Sequence, residues 1–151
     1  MASYAERLHL KFTARQLFDL VADVERYPEF VPWVAAVQNR RHEGRSLWVD
    51  MTIGTNLLGR RFSTVAYLDR PHRIDNSSPD PLFEHFEQRW TFELESDGSC
   101  IVEYRLDLKF RPQLLQTLIG GSLADRAPAM VAAFRRRACE LNSATGERHQ
   151  T

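Results

Sequence analysis

Few side chains in this 151-residue chain have the types and spacing for acid–base chemistry. Asp69 and His72 lie three apart, and His85 and Glu87 lie two apart. His85 and Glu87 fall on the charged side of an alternating stretch, where no enclosure tunes a pKa. The five histidines, at 9, 42, 72, 85 and 149, have no metal-ligand spacing. There is no glycine-rich phosphate loop and no nucleophile elbow. Cys100 and Cys139 match no metal or redox spacing, and both read as buried, small apolar residues of a reducing compartment. The residues therefore assign no catalytic group and no metal site.

Apolar side chains carry a different chemistry. Tyr27-Pro28-Glu29-Phe30-Val31-Pro32-Trp33 places two prolines and three aromatics in seven residues. Each proline fixes φ and removes a donor, so regular helix stops there. Loops are ordinarily polar because they run over the surface. This one is greasy. Its rings either plug one end of a core or form the mouth of a pocket that meets a membrane surface, and both readings stand. Gln88 is the second signal. It sits on the apolar side of its stretch, where a polar group needs a partner. That partner is either a neighbouring group or the carbonyl of a ligand. Ser63 and Tyr104 are lesser candidates for the same work.

The elements that position these residues follow from periodicity. Leu8, Leu10 and Phe12 alternate with Arg7, His9 and Lys11, as in a half-buried strand. Thr13 and Gln16 have capping-box spacing, and Phe12 and Leu17 occupy the staple positions of a helix striped by Leu17, Leu20, Val21 and Val24. Leu47, Val49, Met51 and Ile53 share a face of the next clear strand. Gly54 and Gly59 bracket a turn that exposes Leu57 and Leu58 as a pocket mouth. Residues 60–68 are β-rich without a clear inward face. Asn76 to Pro81 reads as a connection. Phe86, Gln88, Trp90, Phe92 and Leu94 share a face, and Asp97-Gly98 is a hairpin signal. Cys100, Val102, Tyr104, Leu106, Leu108 and Phe110 give the cleanest period of two. The last element opens at Pro112 and is helical to about Leu141, with a kink or break expected around Gly120-Gly121 and Pro128. Residues 1–142 make one domain, and 143–151 read as a polar, disordered tail outside it.

Composition agrees with a single packed domain. Hydrophobic residues are 43%, and 20 Lys+Arg balance 20 Asp+Glu. Zero net charge gives no electrostatic drive toward nucleic acid, so DNA is not an expected partner. No apolar h-region opens the chain, and no run reaches the ~20 apolar residues of a membrane span. The expectation is a cytoplasmic protein, peripheral at most to the inner membrane.

Strand, helix, antiparallel strands and a long helix make an α+β order. Each long strand has one greasy and one charged face, and the greasy face must be covered. A curved sheet wrapped around the long C-terminal helix does this and leaves a space between the two.

With these pieces in order, the chain resembles the helix-grip fold of START-like and plant-allergen-like (Bet v 1-like) domains. More narrowly, it resembles the coenzyme Q-binding START-domain family of polyketide-cyclase-like proteins, which includes members described as ribosome-association toxins. Tyr27-Pro28-x-Phe30-x-Pro32-Trp33 matches that family's proline–tryptophan motif. Arg61-Phe62-Ser63-Thr64-Val65, then Pro81-Leu82-Phe83 with Trp90-x-Phe92, then Cys100-x-Val102 with Leu106 to Phe110, match its strands. Met130-Val131-x-Ala133-Phe134-x-x-Arg137-Ala138 matches its last helix. Val34 and Leu141-Asn142 depart from the pattern.

The resemblance implies a lipophilic ligand, ubiquinone or a similar polyprenyl quinone, with no required cofactor. It implies support of respiratory electron transport by a quinone carrier that touches membrane transiently. Its other branch implies a ribosome-associating protein acting on translation. The ligand would be lined by Tyr27, Phe30, Trp33, Met51, Gln88, Trp90, Phe92, Leu106, Leu118, Met130 and Phe134. Burial of each CH₂ contributes ~0.8 kcal/mol, so a few prenyl units suffice for useful affinity.

Overall fold

The computed structural model describes residues 2–54, 60–111 and 126–150, with only the helical backbone described over 142–150. Strand β1 (Ala2–Leu10) leads into helix α1 (Ala14–Ala22) and a 3-10 segment (Val24–Glu29). Strands β2 (Val34–Glu43), β3 (Ser46–Ile53), β4 (Arg60–Asp69), β5 (Arg73–Ser77), β6 (Phe83–Leu94) and β7 (Cys100–Phe110) follow, then helix α2 (Ala127–Gln150). The strands form one antiparallel sheet in the order β1-β7-β6-β5-β4-β3-β2. This is the helix-grip architecture.

Local chemistry explains the starts and stops. The Thr13 hydroxyl accepts from the Gln16 N–H at 3.1 Å, and the Gln16 side chain accepts from the Thr13 N–H at 2.9 Å. The expected capping box is thus complete. Pro28 lies inside the 3-10 segment, which tolerates it where an α-helix would lose a ladder bond. Gly98 has φ +87°, a left-handed conformation that suits glycine in the β6–β7 hairpin.

Along β7 every second residue from Cys100 to Phe110 is buried. On β4 the inward face left open by the sequence is Phe62, Thr64 and Ala66. The concave face is covered in two halves. Phe18 of α1 meets Phe92 edge-on at 5.9 Å, while Phe134 of α2 meets Trp90 at 5.1 Å.

Several expectations change. Strand β2 had no period to betray it, because nearly all its residues are exposed. Strand β5 takes in Asn76 and Ser77, which read as part of a connection. Leu94 ends β6 at 61% exposure, although it shares the alternation of Trp90 and Phe92. Cys139 is exposed on α2; only Cys100 is buried, and burial pushes its thiol up to about 11. The interruption expected at Pro128 is a helix start: α2 begins at Ala127, and Pro128 sits in its first turn, where its missing N–H breaks no ladder bond. The α2 backbone is helical to Gln150. The expected break at Gly120-Gly121, Leu118, and the mouth residues Leu57 and Leu58 lie outside the described residues.

Candidate ligand-binding site

A cavity of about 60 Å³ lies between the concave face and the start of α2. Its walls come from the 3-10 segment (Val24, Tyr27), the loop beyond it (Trp33), strands β2 to β7, and Ala127 and Met130 of α2. The lining is mostly aliphatic and aromatic, as in sites for lipophilic ligands.

Of the residues proposed from sequence, Tyr27, Trp33, Met51, Gln88, Leu106 and Met130 line this cavity. Trp90, Phe92 and Phe134 are placed elsewhere, around a second void of about 20 Å³ with Leu17, Val21 and Val102. The register explains the split. Gln88 and Leu106 pair across β6 and β7 one step from Trp90 and Tyr104, and α1 fills the space over the Trp90 end. Phe30 stands at an outer groove, with its ring 5.0 Å from Phe134 and 5.9 Å from Tyr27.

The proline–tryptophan segment turns largely inward. Val31 is fully buried and Trp33 is 9% exposed. The Trp33 carbonyl accepts from the Gly54 N–H at 2.9 Å, and the Arg126 guanidinium lies 5.8 Å from its ring. The Tyr27 hydroxyl donates to the Val21 carbonyl. Burial pushes the Tyr27 phenol up, out of any titratable range, so it serves as a neutral donor.

One polar cluster interrupts the apolar wall. Asn76 Nδ2 donates to Gln88 Oε1 at 2.9 Å, and Gln88 Nε2 donates to the Tyr104 hydroxyl at 2.8 Å. The sulfur of Met130 lies 3.6 Å from Gln88 Nε2 and 3.8 Å from the Tyr104 hydroxyl. Tyr104 is 1% exposed, and burial raises its pKa. Sequence reasoning found Gln88 from its face. It missed Asn76, because that partner is visible only once β5 is known to pair with β6. Ser63 points outward, where its hydroxyl donates to Asp50 at 2.7 Å, so it does not serve the cavity.

The acid–base couples are surface features. His85 Nε2 lies 3.8 Å from Glu87, with side chains 35% and 68% exposed. The Asp69 carbonyl accepts from the His72 N–H at 2.7 Å in a turn, and its carboxylate faces Arg45 at 3.6 Å. Among the described residues, no three His, Cys, Asp or Glu side chains gather as a metal site requires. No helix among them is long and apolar enough to cross a membrane.

A curved antiparallel sheet gripping a C-terminal helix over an apolar cavity defines a START-like protein. The chain belongs to the family described as polyketide cyclase / dehydrase and lipid transport, whose model matches residues 10–135. It is similar to the ribosome association toxin RatA of Pseudomonas aeruginosa, 31% identical over 87% of this chain and 92% of that protein. It is also similar to the coenzyme Q-binding protein COQ10 homolog B, mitochondrial, of Xenopus laevis. That relative is 25% identical over 89% of this chain and 57% of its own length. The fold matches a START superfamily protein from Mycobacterium smegmatis with a TM-score of 0.73, 17% identity, and coverage of 93% of this chain and 99% of that one.

Proposed function

We propose that the protein binds a hydrophobic isoprenoid, ubiquinone, between its sheet and its last helix, and acts as a quinone carrier in support of respiratory electron transport. The observation that carries this reading is the apolar cavity with a single polar cluster, Asn76–Gln88–Tyr104, in its wall. An isoprenoid tail gains from the apolar lining, and a polar head gains from the cluster. The similarity to a protein named for coenzyme Q binding supports the choice of ligand. The cavity is smaller than the ~300–1,000 Å³ of typical ligand sites. Loading therefore involves displacement of lining side chains, with Met130 on the first turn of α2 best placed to yield. Collection of the ligand from a bilayer calls for transient membrane contact. In this reading the protein is a carrier and not an enzyme.

A second reading has its own support. The relative 31% identical to this chain is named a ribosome association toxin. In that reading the same fold acts on translation through the ribosome.

One experiment separates the two. Organic extraction of the purified protein, followed by mass spectrometry, is expected to yield a polyprenyl quinone in near-stoichiometric amount. Extracts without quinone or other lipid, together with co-sedimentation of the protein with ribosomes, would replace the first reading with the second.

A further inference from the structure

The hydrogen bonds of the polar cluster have a direction. Asn76 donates to Gln88 Oε1, which commits the amide oxygen and turns the Gln88 nitrogen toward Tyr104 and Met130. The Tyr104 oxygen accepts from that nitrogen at 2.8 Å, so its own proton is directed elsewhere. What it meets is the Met130 sulfur at 3.8 Å, to which the Gln88 nitrogen also points at 3.6 Å. Two good donors thus converge on a thioether, a weak acceptor. In an apolar wall such an arrangement leaves hydrogen-bonding capacity unfilled, and an oxygen in place of the sulfur would fill it.

We propose that Gln88 Nε2 and the Tyr104 hydroxyl form a two-donor cradle for a carbonyl oxygen, reached when the Met130 side chain swings aside, and that this cradle makes the pocket favour an oxidised quinone head over its quinol. The proposal rests on the isoprenoid-binding reading above and specifies its head group. A quinone oxygen only accepts, and it receives two bonds. A quinol oxygen is the weaker acceptor for those two bonds, and its own proton finds only the second lone pairs of the amide and phenol oxygens, since each already accepts one bond. Thr64, the non-aromatic hydroxyl of the lining, lies on β4, two strands from Gln88. Weaker acceptance from two buried donors shifts affinity about tenfold. The high pKa of the buried phenol keeps Tyr104 a donor throughout the physiological range.

The test is calorimetric titration with three ligands that share one short prenyl tail: an oxidised ubiquinone, its quinol under anaerobic conditions, and the prenylated benzene without ring oxygens. Wild-type protein is expected to bind the quinone about tenfold more tightly than either of the others. Tyr104→Phe should lose about tenfold on the quinone and little on the oxygen-free analogue. Gln88→Met provides a second variant of similar size and should behave alike, with thermal melting used to select the folded variant. Equal wild-type affinity for quinone and quinol overturns the proposal. So does a folded variant that keeps full quinone affinity, or one that loses all three ligands equally. Failure of wild-type protein to bind any of the three overturns the isoprenoid reading itself, and the cradle with it.

Discussion

Arg137 on α2 reaches the Glu29 carboxylate at 2.7 Å, and its guanidinium lies 5.3 Å from the neighbouring Phe30 ring. This contact joins the last helix to the 3-10 segment that contributes Tyr27 to the cavity wall. Arg137 is 17% exposed while Glu29 is 47% exposed, so packing as well as charge is at stake. Arg137→Ala is expected to destabilise the protein by ~1 kcal/mol, near the upper end for a partly exposed pair. It should also speed ligand exchange. Urea denaturation and stopped-flow release of a bound lipophilic probe check the two effects; unchanged release at lowered stability would show that the contact does not guard the cavity.

The cap of α1 gives a cleaner stability prediction. Thr13→Ala removes one half of the capping box and leaves the Gln16 N–H without its acceptor. The expected loss is ~1 kcal/mol. Since α1 covers the Trp90 end and not the cavity, ligand affinity should stay the same. Denaturation and ligand titration on one sample check both halves.

Filling the cavity tests its role without touching the polar cluster. Ala66 lines it and is 3% exposed. Ala66→Leu adds three carbons to a void of about 60 Å³. Overpacking should cost ~1–3 kcal/mol and reduce lipophilic-ligand binding at least tenfold. Co-purified lipid, quantified against wild type, is the readout.

Acid sensitivity follows from Asp50. Its carboxylate accepts from the Ser63 hydroxyl at 2.7 Å and from Arg61 at 2.6 Å, and these bonds hold its pKa below the usual carboxylate value. Asp19, bonded to Arg70 at 2.8 Å, is lowered likewise. A lowered folded-state pKa means that the unfolded chain takes up protons first as pH falls. The stabilisation is complete above the unfolded value, ~3.9 for Asp, and is lost as pH drops through the folded value. Asp50→Asn should therefore be less stable than wild type at pH 7 and converge on it toward pH 2–3. Parallel melting curves from pH 7 to pH 2.5 check this; a constant gap between the two proteins contradicts it.

Much of the fold could be read from the chain because its strands are amphipathic. Cys100 to Phe110 alternates without exception, and the Thr13–Gln16 cap marks its helix unaided. What escaped was amphipathic in neither sense. Strand β2 is exposed on both faces of its alternation, and β5 is five residues long, so neither leaves a period. The candidate site was legible to the level of a face. Gln88, Leu106 and Met51 were found because alternation assigns them inward. Trp90 and Phe92 share Gln88's strand face, but a helix fills the space above them. Alternation cannot report that, since it depends on where α1 lies along the strand. Asn76 was out of reach for the same kind of reason: its importance comes from the β5–β6 register.

The position of Met130 in α2 carries a kinetic meaning. The helix starts at Ala127, and Pro128 has no N–H to give, so the turn that carries Met130 has few ladder bonds to break. Phe134 and Ala138, one and two turns further on, are locked into the core at 3% and 0% exposure, and so are Ala127 and Val131 on either side of Met130, at 2% and 1%. Methionine is unbranched and changes rotamer easily, so its side chain moves while the helix that carries it is held. The cavity is therefore closed by one pliable side chain on a fixed backbone. Traffic past such a latch is set by rotamer changes, so exchange of the contents can be fast in a protein whose overall unfolding is slow.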